Sequence, residues 1–97
     1  MPVMETMTFR LSAVADEAAF RAADERVQTE VAYRQPGIMR RTTARCEGGG
    51  WIVVSLWHTA GDADAAAARS EVDPAGVALS AIIDRGSLVT MRYTTLD

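Results

Sequence analysis

Trp51-Ile52-Val53-Val54-Ser55-Leu56-Trp57-His58 is the stretch on which the fold turns. A strand alternates its side chains between two faces, so Trp51, Val53, Ser55 and Trp57 share one face and Ile52, Val54, Leu56 and His58 the other. Both faces are largely apolar, and a strand of that kind is buried on both sides. Immediately before it, Glu47-Gly48-Gly49-Gly50 reads as a turn, because glycine reaches positive φ without steric cost. Before that turn, Ile38 to Arg45 alternates and is rich in threonine, which predicts a hairpin partner.

The flanks complete the order. Residues 4–12 alternate, with Met7, Phe9 and Leu11 on one face and Thr6, Thr8 and Arg10 on the other, a first strand. From Asp16 to about Arg34, Phe20, Ala23, Val27 and Val31 form one stripe of an amphipathic helix, and Pro36-Gly37 is expected to stop it. Glu17–Arg21–Glu25 and Arg26–Glu30–Arg34 supply two ladders of opposite charge on its outer face. After the central strand, Gly61 to Arg69 reads as a short alanine-rich helix. Asp73-Pro74 then offers an N-cap and a first-turn proline for a further helix through Val77, Ala78, Ala81 and Ile82. Ser87 to Thr95 alternates as the last strand, with Val89, Met91 and Tyr93 on one face.

Strand, helix, strand, strand, broken helix, strand is the β-α-β-β-α-β order of an α+β, ferredoxin-like domain spanning residues 1–97. It predicts a four-stranded antiparallel sheet with helices on one face. The other face then lacks cover, and the least demanding second layer is the same sheet from a second copy. A homodimer through the open sheet face, a dimeric α/β barrel, is therefore expected.

Composition excludes several chemistries. All ten basic residues are arginine, so no lysine is present to form a Schiff base or a P-loop. One histidine and one cysteine cannot make a His- or Cys-rich metal site, and neither a metal nor another cofactor is expected. A net charge of −3 argues against nucleic acid, and no apolar run is long enough for a membrane. Those features, with no signal-like start in Met1 to Thr8, lead to the expectation of a soluble, cytoplasmic protein.

Three motifs resemble the antibiotic biosynthesis monooxygenase-like branch of the dimeric α/β-barrel superfamily. Pro36-Gly37-Ile38 is similar to that family's helix-to-strand turn. Trp51 to Trp57 followed by Thr59 is similar to its third strand, and Asp73-Pro74 to its break before the final helix. The resemblance implies the ferredoxin-like fold and the dimer. It also implies a cofactor-independent monooxygenase acting on an aromatic or polyketide-like small molecule; the alternative is a non-catalytic dimeric module that binds a small hydrophobic ligand. Haem degradation is disfavoured. Trp57 matches that pattern's tryptophan, but the chain has no asparagine, and His58 adjoins Trp57 instead of lying on the next helix.

By the same resemblance a pocket lies between sheet and helices, with Trp57, Ser55, Val53, Met7 and Phe9 on its sheet side. Trp57 is then either a stacking wall with an indole N–H to donate or a core filler. His58 is the one imidazole available as a base, but it alternates away from Trp57, which counts against a catalytic pair. Tyr33, Tyr93, Arg41 and Arg92 are candidates for stabilising an anion; Tyr33 could equally pack at the helix end. Arg40-Arg41 is expected to solvate an edge or to pair across the dimer. Cys46 reads as an incidental thiol, Gly48-Gly49-Gly50 as a turn and not a phosphate loop, and the alanine-rich helix as able to close the pocket down.

Overall fold

Strand β1 (Val3–Phe9) lies at the centre of the sheet, between β3 (Trp51–Trp57) and β4 (Val89–Thr94), while β2 (Ile38–Arg45) pairs with the outer side of β3. The order is β2-β3-β1-β4, and every pairing is antiparallel. Three helices complete the ferredoxin-like arrangement: α1 (Glu17–Glu30), α2 (Ala60–Val72) and α3 (Pro74–Ala81). The structure, a computed structural model, describes residues 1–96, so Asp97 at the end of the expected domain lies outside it.

Alternation in β3 sets up the core. Trp51, Val53, Ser55 and Trp57 are all buried beneath the helices, whereas Ile52, Val54 and Leu56 on the opposite face are only half-buried in the lone chain. Phe20, the buried anchor of α1, meets Phe9 edge-on with ring centroids 5.7 Å apart and Trp51 at 4.6 Å. The expected stripe continues through Val27 and Val31, with Ala23 packed alongside. Met4, Ala44, Val89, Met91 and Tyr93 share the open face with Ile52, Val54 and Leu56 by register. Val89, Met91 and Tyr93 are exposed there.

Local chemistry explains the element ends. The Asp16 carboxylate accepts from Ala19 N–H at 2.7 Å and caps α1. That helix ends at Glu30 with Val31 as its cap, short of the expected Arg34, and a 3₁₀ turn at Ala32–Arg34 follows. Pro36 does not stop it. The Tyr33 hydroxyl accepts from Arg41 N–H at 2.9 Å and donates to Arg41 C=O at 3.2 Å, drawing the turn onto the free edge of β2. The Gln35 side-chain amide donates to the Val31 carbonyl, which also accepts from Arg34 N–H. Gly48, Gly49 and Gly50 all hold positive φ in the β2–β3 turn, as the triple glycine predicts. Of the expected charge ladders, Glu17–Arg21 and Arg26–Glu30 close, both well exposed.

The alanine-rich helix is longer than its sequence suggests, running to Val72. Asp73 then caps α3 by accepting from Ala75 N–H at 3.0 Å, with Pro74 in the first turn. Gly76 is the contact between the two helices: a Cβ there would collide with the Ser70 carbonyl and hydroxyl. Gly76→Ala is therefore expected to destabilise the chain by about 1–3 kcal/mol, since backbone cannot yield as a flexible side chain would. Urea denaturation checks this; wild-type stability would mean that α2 and α3 are not held this closely.

Candidate functional site

A cavity of about 310 Å³ lies between the sheet and the helices, a volume at the lower end of small-molecule sites. Its floor is the helix-covered face of β1 and β3, where Met7, Val53, Ser55 and Trp57 meet. The end of α1 supplies Val27 and Val31, and α3 supplies Leu79. Its exposed rim carries Ala67, Glu71 and Arg85.

The alanines of α2 do the reverse of what the sequence led us to expect. Trp57 packs against Ala63 and Ala66, so the indole props the helix above the sheet. An alanine side chain ends at Cβ, and Ala63, Ala66 and Ala67 therefore leave volume beside the indole instead of filling it. Trp57 itself is 4% exposed, and its Nε1–H, among the described residues, has no hydrogen-bond partner. Leaving such a donor unpaired costs about 1–3 kcal/mol.

The structure brings together Trp57, Ser55 and Met7 from the expected set. Phe9 faces the helices but belongs to the aromatic core with Phe20 and Trp51. Tyr33 lies outside the cavity, on the far side of β2, held by its two bonds to Arg41. His58 is exposed beyond the end of β3, where its backbone N–H donates to Gly37 C=O. Tyr93 is exposed on the open face, its hydroxyl 3.3 Å from the Met91 sulfur. Arg92 stands on the helix side but outside the cavity, donating to Asp64 at 2.7 Å and to Glu5 at 3.0 Å. Those two bonds, Asp64 first, raise its pKa above the ordinary arginine value.

Arg41 corrects the expectation for the Arg40-Arg41 pair. Arg40 is exposed at the edge, but Arg41 is 6% exposed and reaches beneath α1 into the cavity wall. Its guanidinium donates to Asp24 at 2.7 Å, to Gln28 at 3.3 Å and to Thr43 at 3.4 Å. Antiparallel register with Ser55 turns the side chain inward, and Asp24 makes that burial tolerable. Sequence reading also missed Glu5. It precedes Met7 by two positions, so the alternation that turned Met7 inward had already placed a carboxylate on the covered face. A charge in phase with buried apolar residues was the available signal.

No family model and no curated protein match the chain by sequence. Solved structures do match it by shape. SnoaB, a cofactor-independent oxygenase from Streptomyces nogalater, superimposes with a TM-score of 0.81 at 20% identity, over 99% of this chain and 94% of that one. A Caulobacter crescentus CB15 protein, provisionally an antibiotic biosynthesis monooxygenase, gives 0.82 at 16% identity over 99% and 91%. The fold is that of the antibiotic biosynthesis monooxygenase-like proteins. A dimeric ferredoxin-like protein of unknown function from Thermobifida fusca YX gives 0.78 at 10% identity over 98% and 92%. Among the described residues, no helix is long and apolar enough to cross a membrane.

The buried Arg41–Asp24 pair is the test of how the cavity wall is held. Asp24→Ala leaves a desolvated guanidinium and is expected to cost about 3–5 kcal/mol. The double variant Arg41→Met with Asp24→Leu is expected to recover most of that loss. Chemical denaturation of the three proteins checks the order; an Asp24→Ala variant of wild-type stability would contradict a buried pair.

Proposed function

We propose that the protein is a cofactor-independent monooxygenase that oxidises an aromatic or polyketide-like small molecule in the cavity beside Trp57. The observation that carries this reading is the cavity beside Trp57, a residue whose buried indole N–H has no hydrogen-bond partner among the described residues. A ligand carbonyl or phenolate oxygen would give it the acceptor that the protein withholds, and apolar walls on both sides suit a planar ring. The likeness to SnoaB supports the class of chemistry.

Such an oxidation needs no metal or flavin when the substrate is itself the reductant. An activated ring methylene loses a proton, and its carbanion passes one electron to dioxygen. The resulting pair combines as a peroxide, and loss of water leaves a ketone, so CH₂ and O₂ become C=O and H₂O. The enzyme's task is to hold the ring, exclude bulk water and stabilise negative charge on the ring oxygen, which the Trp57 N–H is suited to do. Trp57→Phe keeps a ring in place and removes that donor. Oxygen uptake with a panel of anthrones and quinols is expected to fall about 10²-fold in this variant, with thermal stability unchanged or raised. Equal uptake by both proteins across the panel would remove the support for an oxygenase.

The position of His58 outside the cavity favours a second reading, a dimeric module that binds such a molecule without turning it over. Binding without oxygen uptake by the wild type would select it. In both readings the protein is a homodimer, paired through the apolar open face of the sheet as the dimeric Thermobifida neighbour suggests. Val54→Asp, at the centre of that face, is expected to give monomers, checked by light scattering on the eluted protein. A dimer that survives it would place the interface elsewhere. A cytoplasmic setting accompanies this reading.

A further inference from the structure

Register places four polar side chains in one row across the helix-covered face of the sheet. Arg41 of β2 stands opposite Ser55 of β3, Ser55 opposite Glu5 of β1, and Glu5 opposite Arg92 of β4. The central pairs on either side of this row are apolar, Val53 with Met7 and Trp57 with Val3. The row is thus a polar band across an oily floor, and Arg41, Ser55 and Glu5 line the cavity along it.

The two ends of the band are compensated differently. Arg41 has Asp24 to itself, a one-to-one match of charge. Arg92 is shared, with Nη2 donating to Glu5 at 3.0 Å and Nη1 to Asp64 at 2.7 Å. One guanidinium therefore serves two carboxylates. Asp64 is exposed on the outside of α2, while the Glu5 side chain is 17% exposed and borders the cavity. Glu71 and Arg85, the other charged lining groups, are of opposite sign on the exposed rim. The charged groups that line the cavity thus balance, but the band itself sets three carboxylates, Asp24, Glu5 and Asp64, against two guanidiniums, Arg41 and Arg92, and Glu5 is the carboxylate of that set that borders the cavity.

We infer that Glu5 selects the ligand: the cavity takes an uncharged molecule that presents an O–H or N–H donor to this carboxylate, and it rejects the same skeleton bearing a carboxylate of its own. The inference rests on the reading above, that the cavity holds a small aromatic molecule. An ionised carboxylate is an acceptor only, so a phenolic hydroxyl is a fitting partner for it. A second anion in a partly desolvated space is repelled more strongly than it would be in water. Along β3, Ser55 and Trp57 are two residues apart, about 7 Å, which separates a donor-reading end of the site from the indole N–H that wants an acceptor. A hydroxylated aromatic ketone or quinone offers both groups across one ring system.

Calorimetric titration with a dihydroxyanthraquinone, and with the same ring carrying a carboxylate, reads the discrimination without reference to turnover. The wild type is expected to bind the uncharged ring at least about tenfold more tightly. Glu5→Gln, which keeps the shape of the side chain, is expected to bring the two within about threefold. Arg92→Gln removes the countercharge but keeps the Glu5 carboxylate, so it is expected to widen the ratio. A loss of packing alone would not move the two variants in opposite directions. If Glu5→Gln retains the wild-type ratio, or Arg92→Gln narrows it, the selector role is overturned; should Glu5→Gln fail to fold, the Arg92→Gln ratio decides. Equal binding of both ligands by the wild type also overturns it, with the small-molecule reading left standing. Binding of neither removes both.

Discussion

Strand β3 is hydrogen-bonded along both edges and apolar on both faces, and the rest of the molecule answers to that. Its covered face is buried by three helices, with Trp51 closing the aromatic core at one end and Trp57 supporting α2 at the other. Its opposite face receives no such cover from the described residues of one chain. Ile52, Val54 and Leu56 form a continuous patch there with Met4, Met91 and Tyr93 from neighbouring strands. A patch of this kind on a small domain is a standing drive toward association. The same strand thus supplies the internal core and the apolar surface on which the proposed dimer rests.

The cavity follows from a mismatch of side-chain size. A tryptophan at one end of the strand lifts α2, and alanines along that helix cannot reach back down to the sheet. Two ion clusters hold the surrounding elements. Arg41 with Asp24 fastens β2 to α1, and Arg92 with Glu5 and Asp64 fastens β4 and β1 to α2. Both include a side chain that lines the cavity, so the contacts that hold the walls also set the electrostatics within. Surface pairs such as Arg26–Glu30 have no comparable role, being exposed and screened by solvent.

Where sequence reading succeeded, the information was local. Asp73 announces a helix start because its carboxylate reaches a free N–H two residues ahead. The triple glycine announces its turn because only glycine takes three positive φ values in succession at little cost. The stripe of Phe20, Val27 and Val31 announces a buried helix face. Where reading failed, a distant partner intervened. Pro36 was expected to end α1, but Tyr33 had already been drawn to β2 by Arg41, and the helix stopped earlier. Trp57 and Ser55 could be placed on a common face by alternation and Met7 beside them by the family resemblance, whereas the partners of Tyr33, Arg41 and Arg92 could not be read at all.

Period-two and period-three-to-four patterns, caps and turn residues were sufficient to determine the element order, which side chains of a strand share a face and the apolar character of both sides of β3. These depend on neighbours a few positions apart, which any single chain displays. The tertiary structure decided that Arg41 is inside, that the alanines open a space, and that Glu5 shares its guanidinium with Asp64. Each of those depends on how elements far apart in sequence are set against one another; in the sheet, a shift of one residue would turn Arg41 and Glu5 to the opposite face.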